Sequence, residues 1–250
     1  MILLAANTFV EALKFIGRNG QIPGEPALPT LVHLTLETLK IAGIGIAIAL
    51  AIAIPVGTWL GHIHRGSFVA INLGNIWRAL PSLAVLAIGV AFLGIGLKNV
   101  ELALVVLAVP PIITNAYVGI DGVDPDIVDA ARGMGLTGWE ILRKVELPLG
   151  IPLIFAGIRT AALFVVSTTT IAALTGYSGS LGDIINNETS YHLPGVLGAA
   201  ICIAALALVV EFALALIQRA LTPRGVKLEQ GDDFALAVVP VVTEGAGAGS

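Results

Sequence analysis

Five runs of the chain carry no Asp, Glu, Lys or Arg: 41–64, 79–97, 102–120, 160–182 and 189–210. Each approaches or exceeds the roughly 20 apolar residues that carry a helix across a bilayer. A transmembrane barrel would instead show short alternating strands, and none is visible. The pattern predicts an all-α membrane protein with about five transmembrane helices, near 36–61, 79–97, 101–120, 149–175 and 195–218. Residues 1–20 are also apolar, but they include Glu11, Lys14 and Arg18. They lack the basic start and small-residue cleavage site of a secretory signal. A short interfacial helix over 2–16 is the expectation, with a sixth span as its alternative. Pro23, Gly24, Pro26 and Pro29 make a loop of the next stretch.

One long polar insert, 121–148, interrupts this pattern. Asp124-Pro125 reads as a helix start, because Asp accepts from free amides and Pro suits the first helical position. A helix over roughly 125–134 places Ile127, Ala130, Ala131 and Met134 on one face, and Gly133 and Gly135 end it. Thr137-Gly138-Trp139-Glu140 fits a capping box. A second helix is expected to run to Pro148 with Trp139, Leu142 and Val145 as a stripe. Two short helices around a Gly turn make a compact knob, and the small side chains of Ala130 and Ala131 leave a shallow surface for another protein. The same residues also suit a well-capped loop packed under its own bundle.

Composition sharpens the class. Apolar residues make up 56% of the chain and charged ones 12%, half the charge of a soluble domain. The net charge is −4 and no basic run suggests nucleic acid. With the N-terminus outside, Arg65, Arg78, Arg132, Arg143, Lys144, Arg219, Arg224 and Lys227 fall on the inner face and Lys14, Arg18 and Lys98 on the outer. By the positive-inside rule the insert and the C-terminus are then cytoplasmic. The expected organisation is an extracytoplasmic helix and loop over 1–30, a transmembrane domain over 31–218 and a flexible cytoplasmic tail over 219–250. Phe234 to Val242 in that tail is a weak candidate for packing on a partner.

The candidate chemistry is sparse. None of Lys14, Lys40, Lys98, Lys144 or Lys227 follows a glycine, so the chain has no phosphate-cradling Gly-Lys-Ser/Thr. Any ATP would bind elsewhere, and no catalytic residue, cofactor or metal is expected on this chain. His62 and His64 point apart on a helix and read as inner-interface residues, and Cys202 as a packing residue. Asn187-Glu188-Thr189 fits a glycosylation acceptor. Arg159 stands alone in a long apolar stretch. Such charge is costly and usually functional; otherwise it snorkels or ties the insert to the bundle. Ser167, Thr168, Thr169 and Thr170 either line a path for a zwitterion or bond their own helix. Pro110 and Pro111 should kink the third span and turn freed carbonyls toward Thr114 and Asn115. Gly57-Thr58-Trp59-Leu60-Gly61 permits close helix packing. No aromatic cluster offers the cage that holds a quaternary ammonium.

Asp129-Ala130-Ala131, three residues, Gly135, nine residues and Val145-Glu146-Leu147-Pro148 resemble the EAA signature of permease subunits in binding-protein-dependent ABC importers. Asp129 stands for its Glu and Val145 for its Ile. The resemblance implies a MetI-like ABC importer permease fold. It also implies that the insert is a coupling helix docking on an ATP-binding cassette ATPase, through Asp129, Ala130, Ala131, Gly135, Val145, Leu147 and Pro148. Arg78-Ala79-Leu80-Pro81-Ser82-Leu83, Gly119 to Asp124, Ala131 to Gly135 and Ala156 to Thr160 resemble the osmoprotectant subfamily, over approximately 30–218. Gly179-Ser180-Leu181-Gly182-Asp183 is similar to its Gly-Gly-Leu-Gly segment with one Gly replaced. The implied partners are that ATPase, which holds the ATP and Mg, a second permease chain, identical or related, an extracytoplasmic substrate-binding protein and membrane lipid. The implied place is a bacterial cytoplasmic (inner) membrane. The implied cargo is glycine betaine, choline, carnitine or proline, and Arg159 takes a structural role. A secondary transporter driven by an ion gradient needs intramembrane acids or repeated halves. The five spans show no central Asp or Glu. An intramembrane enzyme needs a base near Ser167.

Overall fold

The structure is a computed structural model and describes residues 2–23, 29–68, 72, 74 and 80–223. Gly24, Pro26, Arg78, Ala79, Arg224, Lys227 and the tail segment Phe234 to Val242 lie outside the described residues. No strand occurs among those described. The helices are α1 (Ile2–Gly17), α2 (Leu31–His62), α3 (Ser82–Leu93), α4 (Leu97–Asp121), α5 (Pro125–Gly133), α6 (Gly138–Ile141), α7 (Leu147–Ile171), α8 (Gly182–Asn186) and α9 (Glu188–Leu221). A π-helical turn, Leu142–Glu146, joins α6 to α7, and a 3₁₀ turn, Ala172–Thr175, extends α7.

Among the described residues, four helical stretches are long and apolar enough to cross a membrane: Leu31–His62, Leu97–Asp121, Gly138–Thr175 and Glu188–Leu221. The expected span at 79–97 is the shorter α3, 12 residues from Ser82 to Leu93, about 18 Å at 1.5 Å per residue. Pro81 stands at its start, and Gly94 (φ 75°) and Gly96 (φ 154°) break the chain after it. Two further boundaries also move. The helix expected to stop at Pro148 continues into the next span, because Pro148 falls in the first turn of α7, where a missing N–H is tolerated, and the π turn before it bonds Leu147 N to Leu142 O, five residues back. The last span starts just after His192, whose non-helical backbone (φ 54°, ψ 171°) kinks it away from a short helical piece begun at Glu188, a little before the expected 195.

Small residues set the helix crossings. A Cβ on Gly57 would meet Ala116 Cβ at 2.7 Å, and one on Gly61 would meet Ile120 Cβ at 2.8 Å. The GxxxG segment therefore seats α2 directly on α4. Gly157 does the same for α7, where a Cβ would stand 2.6 Å from Asn115 Cβ. Around these crossings Ala49, Ala53, Leu104, Ala108, Ile112, Ala161 and Val165 are fully buried and form the main core. The 16-residue α1 packs its Phe15 edge-on against Tyr191 of α9 (6.2 Å), beside Gly195 and Gly198. At about 24 Å it is too short to cross the roughly 30 Å hydrocarbon layer unaided.

Candidate functional site

The insert folds as a double-capped knob. Asp124 Oδ1 accepts from Asp126 N (2.9 Å) and Pro125 takes the first helical position. After α5 the chain reverses at Gly135 (φ 85°), where Leu136 N donates to Ala131 O (3.2 Å). That six-to-one bond with a left-handed glycine is a Schellman stop. The capping box at Thr137 is complete: Glu140 N donates to Thr137 Oγ1 (3.4 Å) and Thr137 N donates to Glu140 Oε2 (3.0 Å). Lys144 Nζ, 2.8 Å from Glu140 Oε1, and then the Thr137 amide hold the Glu140 carboxyl down at about 2. The box therefore needs the carboxylate and is intact at any pH well above that value.

Val128 and Ala131 turn inward onto Val123 and Ile141. Ala131 is 2% exposed, so it does not share the outward face expected for it. At helical spacing Val128 and Ala131 share the buried stripe, three residues apart. The outward face is Ile127, Ala130 and Met134, the last 74% exposed. Asp129 is also exposed and pairs with Arg132 (3.1 Å). Gly135 is exposed, and among the described residues nothing beyond its chain neighbours lies within 4 Å of where its Cβ would be. Val145, Leu147 and Pro148 are half-buried at the base of the knob. Of the seven residues of the signature, three are open to a partner and four hold the knob in shape. Trp139 is exposed and, with Trp59, Ile54, Pro55, Thr58, Leu142, Arg143 and Leu147, lines an apolar cavity of about 570 Å³ beside α2.

Two contacts at the base of the knob were missed by the sequence reading. His62 Nδ1 lies 2.6 Å from Glu146 Oε2, and Glu146 is 1% exposed. His64 Nδ1 lies 2.7 Å from Asp121 Oδ1. The partners are 84 and 57 residues apart in the chain, so no local spacing announces them. The one available sign is that α2 and α4 end together, at His62 and Asp121.

The remaining candidates do not converge. Asn115 Nδ2 donates to Pro111 O (2.8 Å), within its own helix, not to the Val106 and Leu107 carbonyls that the two prolines leave free. α4 continues unbroken through Pro110 and Pro111. Thr114 is half-buried beside Gly74. Thr169 and Thr170 donate to Val165 O (2.8 Å) and Val166 O (3.2 Å) of their own helix, and Ser167 is exposed. Asn115 meets α7 at Gly157, ten residues before Ser167, or about 15 Å along the axis. Arg159 does not tie the insert to the bundle. Its Nε donates to Glu211 Oε1 (2.8 Å), Nη2 reaches the same oxygen, and Nη1 donates to Gln218 Oε1 (3.3 Å), joining α7 to α9. Glu211 falls inside the expected last span, just past its charge-free run.

Residues 43–224 match the model of the binding-protein-dependent transport system inner membrane component family. The chain belongs to that family. It is similar to the glycine betaine/carnitine/choline transport system permease protein OpuCB of Bacillus subtilis (strain 168), 37% identical over 218 residues, 87% of this chain and 96% of that one. The choline transport system permease protein OpuBB of the same strain is 36% identical, covering 86% of this chain and 95% of its own. The carnitine transport permease protein OpuCB of Listeria monocytogenes is 37% identical, covering 79% and 90%. The fold matches the inward-facing MetNI methionine ABC transporter at a TM-score of 0.66, with 24% identity over 77% of this chain and 96% of that one. This chain is thus a multi-pass permease subunit of an ABC importer and not itself an enzyme. Subunits of this family work with an ATPase and a substrate-binding protein.

Proposed function

We propose that this chain forms half of the translocation path of an ATP-driven importer for compatible solutes of the glycine betaine, choline, carnitine or proline class. The knob docks on an ATP-binding cassette subunit, which carries the ATP and Mg. The carrying observation is the knob itself. Two caps and a Schellman stop fix its shape, yet Ile127, Ala130, Met134 and Gly135 are exposed. Relatives named as permeases for glycine betaine, choline or carnitine supply the solute class. A second permease chain completes the path, and the membrane is the bacterial inner membrane with the knob and C-terminus inside. ATP moves the bundle only if the ATPase prefers one of its states. The test is reconstitution of the chain with its ATPase and binding protein in liposomes. ATP-dependent uptake of labelled glycine betaine, choline, carnitine or proline is expected. Uptake driven by an ion gradient with no ATPase present would instead make it a secondary transporter.

Ser167 is the path candidate that the geometry leaves open, because its hydroxyl is on an exposed face of α7. Ser167→Val is expected to change the KM of uptake. Thr170→Val is expected to leave it within about twofold, since a hydroxyl bonded to its own helix contributes little. Equal kinetics for both variants and the unaltered chain would place Ser167 outside the path.

A further inference from the structure

We infer that His62–Glu146 and His64–Asp121 form a latch that carries the motion of the knob into α2, with these four side chains as positioning residues. This rests on the coupling reading above.

The argument begins with where the four groups sit. Asp121 is the last residue of α4, where the chain enters the insert. Glu146 is the last residue of the π turn, where the chain leaves it. His62 ends α2, and His64 follows two residues later. One helix terminus is therefore fastened to both the entry and the exit of the insert, across 2.7 Å and 2.6 Å. His64 holds a left-handed backbone (φ 49°) to do so, a conformation that a histidine adopts at a cost.

The second step concerns stiffness. Between knob and span the backbone bonds run i to i−5 through Leu142–Glu146. Such π turns are rare, irregular joints found most often at functional sites. A push on α5 therefore meets its weakest link just before α7. The His62–Glu146 bond fixes the far end of that joint, and His62 also reaches its near side, where a Cβ on Gly138 of α6 would stand 3.4 Å from His62 Nε2. That bond takes the end of the π turn and fastens it to a 32-residue helix. That helix in turn lies backbone-close on α4 at Gly57 and Gly61, so it cannot move without moving α4.

The third step concerns chemistry. A buried hydrogen-bonded pair adds little net stability compared with apolar side chains of the same shape. What it does supply is a fixed register, because an unpaired Glu146 at 1% exposure is costly and only one placement of α2 avoids that cost. This suits a joint that must hold one geometry while it is pushed.

The test is made on the whole transporter in liposomes, reading ATP hydrolysed per solute imported. His62→Ala/Glu146→Ala removes the pair without leaving a buried charge, so the complex should still assemble and hydrolyse ATP. Its ATP per solute is expected to rise about fivefold or more, the lower end of ordinary coupling between sites. Glu146→Gln keeps an acceptor for His62 and should return the ratio to within about twofold of normal. A double variant that assembles with an unchanged ratio overturns the latch. Should that variant fail to assemble, the half-exposed pair decides. His64→Ala/Asp121→Ala, which removes that contact outright, should raise the ratio about twofold, and an unchanged ratio there overturns the latch equally. An unaltered complex that shows no ATP-driven uptake sinks the coupling reading itself, and the latch with it.

Discussion

Replacing Gly135 with valine is expected to stop uptake almost completely while the chain still inserts in the membrane. Gly135 has φ 85°, a region that costs an L-residue roughly 1–2 kcal/mol and a β-branched one more. Valine must therefore either bear that strain or open the turn. Opening it breaks the Leu136 N to Ala131 O bond and shifts Ile127, Ala130 and Met134 together, since all three sit on the helix that this bond closes. A loss of about 1.4 kcal/mol in docking already lowers affinity tenfold. Crowding against the described residues contributes little, because beyond its chain neighbours none of them lies within 4 Å of the new Cβ. Asparagine separates the two remaining causes, as it tolerates the left-handed conformation while still adding bulk. Gly135→Asn with most uptake retained would assign the valine defect to the backbone turn. An equal defect in both would put a partner's surface directly on Gly135. Both are read as uptake in liposomes alongside the amount of ATPase that co-purifies. Normal uptake by Gly135→Val would remove the knob from the coupling path.

That knob is also the part of the molecule most legible in the sequence. Asp124-Pro125, Gly135 and Thr137-x-x-Glu140 each bond within a few residues of themselves, so spacing alone dictates their geometry. The long helices are legible for the same reason, since a charge-free run in a bilayer has one satisfied backbone form. The errors occur where a feature depends on distant chain. Ala131 is inward because Val123 and Ile141 come to cover it, which no local count decides. The stop at Pro148 fails because the proline falls in the first turn of α7, where a missing N–H is tolerated. The 79–97 run is apolar enough to cross, but Gly94 and Gly96 end α3 first. His62, Glu146, Arg159 and Glu211 have partners 84 and 52 residues away, and a reading by periodicity sees each as a lone polar residue.

Arg159→Met shows what such a pair does, and it is expected to lower the stability of the chain by about 3 kcal/mol. The estimate comes from removing one member of a buried ion pair, which typically costs 3–5 kcal/mol because the other charge is left uncompensated. The lower end applies because the side chains retain 35% and 27% exposure, although both lie well inside long apolar helices, where lipid rather than water is their surroundings. Glu211 Oε2 already lacks a hydrogen-bond partner, so the guanidinium is what keeps its carboxylate tolerable there. Gln218, the other acceptor of Arg159, carries no charge and cannot replace it. Arg159→Met/Glu211→Leu removes both charges at roughly constant volume and should recover most of the loss. Thermal unfolding in detergent measures this directly. Uptake then separates structure from transport. A structural pair predicts that the double variant regains both stability and transport. A double variant that is stable but unable to import would mean that Arg159 meets the solute, and its contact with α9 would then be the resting position of a path residue.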